Sequence, residues 1–272
     1  MGAPTLVISN PPHGVCDSRR AAPQLGLTPA EATLKANYPV PEIWLALEDR
    51  AQAEAAAREL TEAGLHVTVV AGEELRDVPP REHVRSFAFE ETGVVLELED
   101  LDVTLAYDAP IIAVFCAPRP AAAGDAGRPV GSRPSEAVRH AAEPAVAHLS
   151  GGFLDMYASL DGKLRRLSVV QGVTEFSGLG HAALPSAAGN LMKFVGEVEA
   201  RFSHAQVDRR MALLHARRRT SMTGMTAPSG QQRKGFSYGT ETLASLLASI
   251  SPDLKDLSEF ELSSRLAYLT RR

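Results

Sequence analysis

The chain has 272 residues, of which 44% are hydrophobic and 22% are charged, a balance typical of globular proteins. This composition excludes collagen, a coiled-coil fibre and a wholly disordered chain, and no run of about 18 apolar residues predicts a transmembrane helix. Two cysteines are too few for a disulfide-stapled secreted protein. The excess of alanine and arginine over lysine is typical of a GC-rich bacterial genome. Residues 1–5 lack the basic and apolar regions of a signal peptide, so we expect a cytoplasmic protein.

Charge is distributed unevenly along the chain. Residues 1–150 hold 12 Lys/Arg and 22 Asp/Glu, a net charge of −10. Residues 151–272 hold 16 Lys/Arg and 11 Asp/Glu, a net charge of +5. The two halves therefore present different electrostatic fields to a partner.

The first quarter of the chain alternates strand and helix signals. Short apolar runs predict strands, and the turn residues of Asn10–Gly14 end the first of them. Thr28, Pro29 and Glu31 have the spacing of an N-cap, a first-turn proline and a capping box. Gly64 is the expected stop of an Ala- and Glu-rich helix. The predicted order is β-α-β-α-β, with strands at 5–9, 41–47 and 65–71, helices that begin after Thr28 and Asp49, and an extra helical turn near 17–25.

Within residues 5–72, a turn and two helix ends carry a resemblance to a known family. The run Leu25-Gly26-Leu27 opens a helix through Ala32, and Leu60-Thr61-Glu62-Ala63-Gly64 ends another before a last strand. This pattern resembles the C-terminal domain of the bacterial ribosomal stalk protein, which has the ClpS-like fold. The resemblance implies a small interaction module that has no catalytic residues of its own.

Residues 79–204 predict an antiparallel β domain. Short strand-like runs lie 8–10 residues apart with hairpin turns between them, and the dipeptide Asp161-Gly162 predicts a two-residue hairpin. Residues 117–147 are rich in Ala, Pro, Gly and Arg, and we interpret them as a mobile insertion. An amphipathic helix is predicted at 186–203, where Leu191, Val195 and Val198 share one stripe. Strands followed by one closing helix resemble a pleckstrin-homology-like fold in architecture. The predicted strands are 84–90, 93–99, 103–107, 111–116, 153–158 and 164–171.

The predicted fold class is α+β, with three regions. Residues 1–78 form the small α/β sandwich, and residues 79–204 form the antiparallel domain. Residues 205–272 form a basic linker followed by helices near 240–250 and 258–270, and Ser258 with Glu261 has the spacing of a capping box.

Motifs that carry chemistry are weak in this sequence. Gly178-Leu179-Gly180-His181-Ala182-Ala183 matches GxGxxA, but Pro185 interrupts it and no parallel strand follows. His13 and Cys16 have a metal-like spacing without the second pair that a zinc site needs. Glu97 and Glu99 share a strand face and suit a divalent cation, a pair of acid/base carboxylates or a solvated face. We therefore predict no catalytic residue, no cofactor and no metal. A pocket lined by Asp155, Glu175 or His181 would favour an enzyme.

The densest feature of the sequence is a basic cluster at 201–234, with eight Lys/Arg and one acid, Asp208. Such a run can neutralise phosphates of nucleic acid or of anionic lipid. It can equally complement a helix C-terminus or dock on the acidic half of the chain. We expect the arginines from Arg209 to Arg219 to lie on one continuous helix. The candidate polyanion- or partner-binding residues are Arg209, Arg210, Arg217, Arg218, Arg219, Arg233 and Lys234.

These observations support three hypotheses of function. The first is a non-enzymatic adaptor or regulatory protein that binds another protein. The second is a binder of nucleic acid or of an anionic membrane surface through residues 201–234, whose affinity would fall steeply with salt. The third is an enzyme of unrecognised type, which would need a pocket with a perturbed titrating group.

Overall fold

A computed structural model describes residues 3–117, 152–212, 240–255 and 257–272. The chain divides into two compact units, Met1–Pro79 with Ala216–Arg272, and Pro80–His215. Both units contain helices and strands, which confirms the α+β class. In chain order the elements are β1 (Thr5–Ser9), α1 (Ser18–Leu25), α2 (Pro29–Ala36), β2 (Ile43–Leu47), α3 (Arg50–Glu62), β3 (Val67–Ala71), α4 (Gly72–Arg76), β4 (Glu82–His83), β5 (Ser86–Phe89), β6 (Gly93–Glu97), β7 (Asp102–Ala106), β8 (Ile111–Cys116), β9 (Phe153–Leu160), β10 (Lys163–Val170), α5 (Ala187–Arg201), β11 (Ala205–Asp208), α6 (Thr240–Ile250) and α7 (Glu259–Leu269).

The first unit is built on a three-stranded antiparallel sheet of order β2-β1-β3. The predicted β-α-β-α-β order is confirmed, and the extra helical turn near 17–25 is a full helix, α1. Thr28 and Glu31 form the predicted capping box at the start of α2. Asp49 accepts from the amide of Ala51 and so caps α3 as predicted.

One face of this sheet packs against the helices that precede and follow β2. Val7, Trp44 and Leu60 belong to a core cluster in which each is buried. Leu6 and Ile8 alternate with Val7 and are also completely buried, so both faces of the central strand are covered.

The C-terminal helices α6 and α7 pack on this first unit. Arg265, on α7, donates from Nη1 to the carbonyl oxygen of Val78 at 2.9 Å. Asn10 donates from Nδ2 to the carbonyl oxygen of Thr270 at 3.2 Å. The region that the sequence set apart as 205–272 is therefore divided, because α6 and α7 belong to the first unit and β11 belongs to the second.

The second unit contains two sheets, where the sequence predicted one antiparallel sheet. Strands β5-β6-β7 form an antiparallel meander, and β11-β8-β9-β10-β4 form a mixed sheet. The pairs β11·β8 and β10·β4 are parallel. A parallel neighbour needs a crossover connection, and α5 supplies it before β11. The predicted hairpin at Asp161-Gly162 is confirmed, since both residues have positive φ, 51° and 75°.

A single core cluster joins the two sheets of this unit to α5. The predicted apolar stripe is confirmed, because Leu191, Val195 and Val198 are all completely buried. Phe194 lies on the same helix, and its ring centroid is 4.6 Å from that of Phe87 on β5.

Candidate interaction groove

The basic cluster begins with arginines that are already bound to acids. Arg209 donates from Nη2 to Glu199 at 2.7 Å. Arg210 is buried and donates from Nε to Asp208 at 2.7 Å. Both follow strand β11 in a turn, so the expected helix from Arg209 to Arg219 is wrong at its start. Within the described residues, the cluster is thus a set of local ion pairs.

The other candidate polyanion-binding residues lie outside the part of the chain that the structure describes. They are Arg217, Arg218, Arg219, Arg233 and Lys234. The predicted insertion at 117–147 lies outside it as well, apart from Ala117. Binding of nucleic acid or of anionic lipid through these residues stays a prediction.

The glycine-rich motif before α5 is explained by packing. Residues Ser177–Ala182 form a 3-10 helix. A Cβ on Gly178 would lie 1.9 Å from the carbonyl oxygen of Phe87, so only glycine fits there. Gly180 has a φ of +54°, which also favours glycine. Close approach of the backbone to β5 therefore accounts for the motif without a phosphate.

His13 and Cys16 line a cleft of about 390 Å³ between the β1–α1 loop and α2. The Nδ1 atom of His13 accepts from the amide of His66 at 3.0 Å, so this nitrogen is engaged by the backbone. Partial burial and the Asp17 carboxylate raise the pKa of the Cys16 thiol. No group of three or more His, Cys, Asp or Glu residues that could hold a metal occurs in the described parts of the chain.

Of the predicted acidic pair, Glu97 is the last residue of β6 and Glu99 lies beyond the strand, and both are engaged by neighbouring side chains. The hydroxyl of Ser86 donates to Glu97 at 2.5 Å. Arg85 and Glu99 form an exposed ion pair at 2.9 Å. These contacts favour the solvent-facing interpretation of this cluster.

A buried charge network in the second unit was missed by the sequence analysis. Asp155 on β9 is fully buried and lies opposite Ser168 on β10. It accepts from Arg166 at 2.6 Å and from Arg81 at 2.9 Å, and from the Ser168 hydroxyl. Burial alone would raise the pKa of Asp155, but the two guanidiniums hold that pKa well below its usual range. Burial, with the nearby Asp155 carboxylate, raises the pKa of the Cys116 thiol to about 12.

The network is structural in character. Arg166 is also fully buried, whereas Glu175 and His181 are exposed, so the three residues suggested for an enzyme pocket do not share one environment. The available signal was an aspartate inside the apolar run 153–158 and adjacent arginines, Arg165 and Arg166, in the following strand. Buried charges require partners, so this pattern indicates an internal ion pair.

A cleft of about 620 Å³ lies within the described part of the first unit. One wall comes from α2 and the segment that leads into β2, and the other comes from α6 and α7. The lining residues are Lys35, Tyr38, Val40, Pro41, Glu42, Ile43, Leu243, Ala244, Leu247, Lys255, Leu257, Glu259, Leu262, Ser263 and Leu266. This cleft is called the interaction groove below.

The groove has an apolar floor and a charged rim. Val40, Ile43 and Leu266 are buried in the floor. At the rim, Lys35 and Glu42 form an ion pair at 3.4 Å, and Lys255 is exposed. An apolar floor with a polar rim is typical of binding sites in proteins.

Specific polar contacts hold the α7 wall in place. Ser258 caps α7 by accepting from the amide of Glu261 at 3.2 Å. Arg265 donates to Glu261 at 3.1 Å and to the carbonyl oxygens of Leu75 and Val78. These contacts tie α7 to the end of α4 and so fix one side of the groove. The sequence analysis predicted both C-terminal helices but not that they would build this surface.

Comparisons with known proteins identify no relative of this chain. The chain matches no protein-family model, no curated protein and no solved structure. In the described parts of the chain, every helix is too short or too polar to cross a membrane.

Proposed function

We propose that this protein is an adaptor that acts by binding another protein, and that the interaction groove is its binding surface. The observation that carries the proposal is the groove itself, in which three separated segments of the chain place aliphatic side chains around one cavity. Burial of apolar surface is the main driving force for protein association.

The chemistry of the groove favours a helical or extended segment with apolar anchors. Leu243 and Leu257 are half-buried, so each retains apolar surface that a partner can cover. Leu247 and Leu262 lie deeper and are almost fully buried. A volume of about 620 Å³ accommodates a few side chains, as in complexes where an amphipathic helix lies in a groove.

Binding of a polyanion is the less favoured function. The three described arginines of the basic cluster, Arg201, Arg209 and Arg210, are each paired with an acid. A phosphate would have to compete with those carboxylates, and Arg210 is buried. Residues 217–234 remain the segment on which that alternative depends.

A photo-crosslinking experiment in the source cell tests the groove. One variant carries a benzophenone amino acid at Leu243, and the matched control carries it at Leu34, which is 73% exposed on α2 and does not line the groove. We expect a discrete protein adduct from position 243 and none from position 34. The adduct should persist after nuclease treatment and in about 0.5 M salt, because apolar contacts do not depend on counterion release.

A substitution pair then measures the contribution of the groove. L243R places a charge over the apolar floor. It should lower the affinity for the captured partner about tenfold or more, which is the effect of losing an interface hot spot. L34R adds the same charge on an exposed helix position and should leave binding unchanged. Equal adducts from both positions, or capture that is lost with nuclease, would show that the groove is not the binding surface.

A further inference from the structure

Among the strands that the structure describes, β3 forms an open edge of the three-stranded sheet. In its pairing with β1, Asn10 donates to the carbonyl oxygen of His66 and Gly72 donates to that of Pro4, each at 2.8 Å. The alternation of an antiparallel ladder therefore turns the backbone groups of Thr68 and Val70 toward β1. The backbone groups of Val67, Val69 and Ala71 point away from the sheet.

Two residues present unused backbone groups at this edge. The amide of Ala71 donates to Glu74 at 2.7 Å and is engaged in the start of α4. Within the described chain, the outward N–H and C=O groups of Val67 and Val69 have no hydrogen-bond partner. Four backbone groups in a row are a template for another strand.

The opposite edge of the sheet is less suited to strand addition. Strand β2 carries a bulge, because Val7 pairs with Leu45 and Ile8 pairs with Ile43, which leaves Trp44 as an extra residue. A bulge interrupts the regular spacing of backbone groups. Strand β3 pairs with β1 in an unbroken register over five residues, so its outer edge is regular.

A cleft of about 390 Å³ lies directly beside this open edge, between β3 and α3. Its floor is formed by Ala57, Thr61 and Val69, which are small or apolar. The side chains of Val67 and Val69 point toward α3, because both pack on the core cluster of that face. Alternate side chains of an added strand would therefore enter this cleft.

The rim of the cleft has one cation that is not neutralised locally. Glu54 pairs with Arg50 at 2.9 Å, and Glu62 pairs with Arg20. Arg58 is exposed and has no ion pair within the described residues. An acidic side chain two positions from an apolar one on an added strand matches this arrangement.

We propose that the β3 edge binds an extended peptide segment of a partner protein, with an apolar residue in the cleft and an acidic residue at Arg58. The segment extends the sheet by hydrogen bonding to Val67 and Val69. This surface is distinct from the interaction groove, so the protein would bind two different segments and join them.

The test uses the full chain and two capped peptides, TTVTETT and TTVTKTT, which differ only in the charge that faces Arg58. Amide chemical shifts of the ¹⁵N-labelled protein are followed during titration. We expect saturable shifts centred on Val67 and Val69, with the acidic peptide binding about two- to fivefold more tightly, the effect of one exposed ion pair.

Two variants keep the result interpretable. V69P removes one outward N–H without removing a bond to β1, as proline is tolerated at an edge strand. It should abolish the shifts while the amide spectrum of the other strands stays dispersed as in the wild type. R58E should reverse the preference between the two peptides, an outcome that misfolding would not produce.

Other outcomes would overturn the proposal. Shifts that map to residues outside β3 and α3, or that survive in V69P, would exclude strand addition at this edge. Concentration-dependent shifts of the same amides without peptide would assign the edge to a second copy of this chain. Because none of the variants alters the groove, crosslinking at Leu243 would be retained in each of these cases, and the two proposals can fail separately.

Discussion

The substitution D155N tests the buried charge network of the second unit. It replaces a fully buried carboxylate by an amide of nearly the same shape. Arg166, which is also fully buried, and Arg81, whose side chain is 14% exposed, then lose their counter-charge. Breaking a buried pair on one side costs about 3–5 kcal/mol. That is a large share of the roughly 5–15 kcal/mol of a typical domain.

Hydrogen exchange of the β9 and β10 amides measures the loss of stability in D155N, because these strands belong to the second unit. The single tryptophan, Trp44, lies in the first unit and does not report directly on β9. E99Q is the matched control, because it neutralises an exposed ion-paired carboxylate in the same unit. We expect protection of β9 and β10 to fall by two or more orders of magnitude in D155N and to stay unchanged in E99Q.

The pH dependence of the stability difference between wild type and D155N follows from the direction in which the pKa of Asp155 is shifted. The pKa of Asp155 is lower in the folded state than its unfolded value of about 3.9. The contribution of Asp155 to the stability of the fold is therefore fully present above about pH 4. It is lost as the pH falls through the pKa that Asp155 has in the folded state. The difference in the free energy of unfolding between wild type and D155N should be constant from about pH 5 to 8 and should shrink only in strong acid. A difference below about 1 kcal/mol at neutral pH would refute the assignment of a stabilising buried pair.

Three further predictions concern other parts of the fold. The amides of Val67 and Val69 should exchange with solvent much faster than their neighbours on β3, as measured by NMR, because they point away from the sheet. G178A should destabilise the second unit in thermal unfolding by about 2 kcal/mol or more, since the added methyl meets a backbone carbonyl at 1.9 Å. At pH 8 a thiol reagent should label the partly exposed Cys16 faster than Cys116, which should react only on unfolding, because burial raises the pKa of Cys116 to about 12. Mass spectrometry of the peptides distinguishes the two, and equal labelling rates would contradict the burial.

The two proposed binding surfaces of the first unit have different physical bases. The interaction groove depends on side chains from α6 and α7, whereas the β3 edge depends on backbone groups of the sheet. In the two proposals, the groove would select apolar side chains by shape, and the β3 edge would select an extended conformation by hydrogen bonding. One surface can therefore be disabled by substitution while the other is kept.

The sequence by itself determined the local structure of this protein. Thr28 with Glu31 and the stripe of Leu191, Val195 and Val198 each depend on neighbours within about two helical turns, so spacing alone predicts them. Asp161-Gly162 is a similar case, because positive φ is a property of the dipeptide.

Only the tertiary structure decided where distant segments meet. The groove joins residues near 40 to residues near 260, and the Asp155 network joins Arg81 to β9 and β10. Arg210 was a candidate for binding a polyanion or a partner, and the turn after β11 places it against Asp208. Periodicity carries no information about such long-range contacts, because their free energy depends on packing and burial that form only when the chain folds.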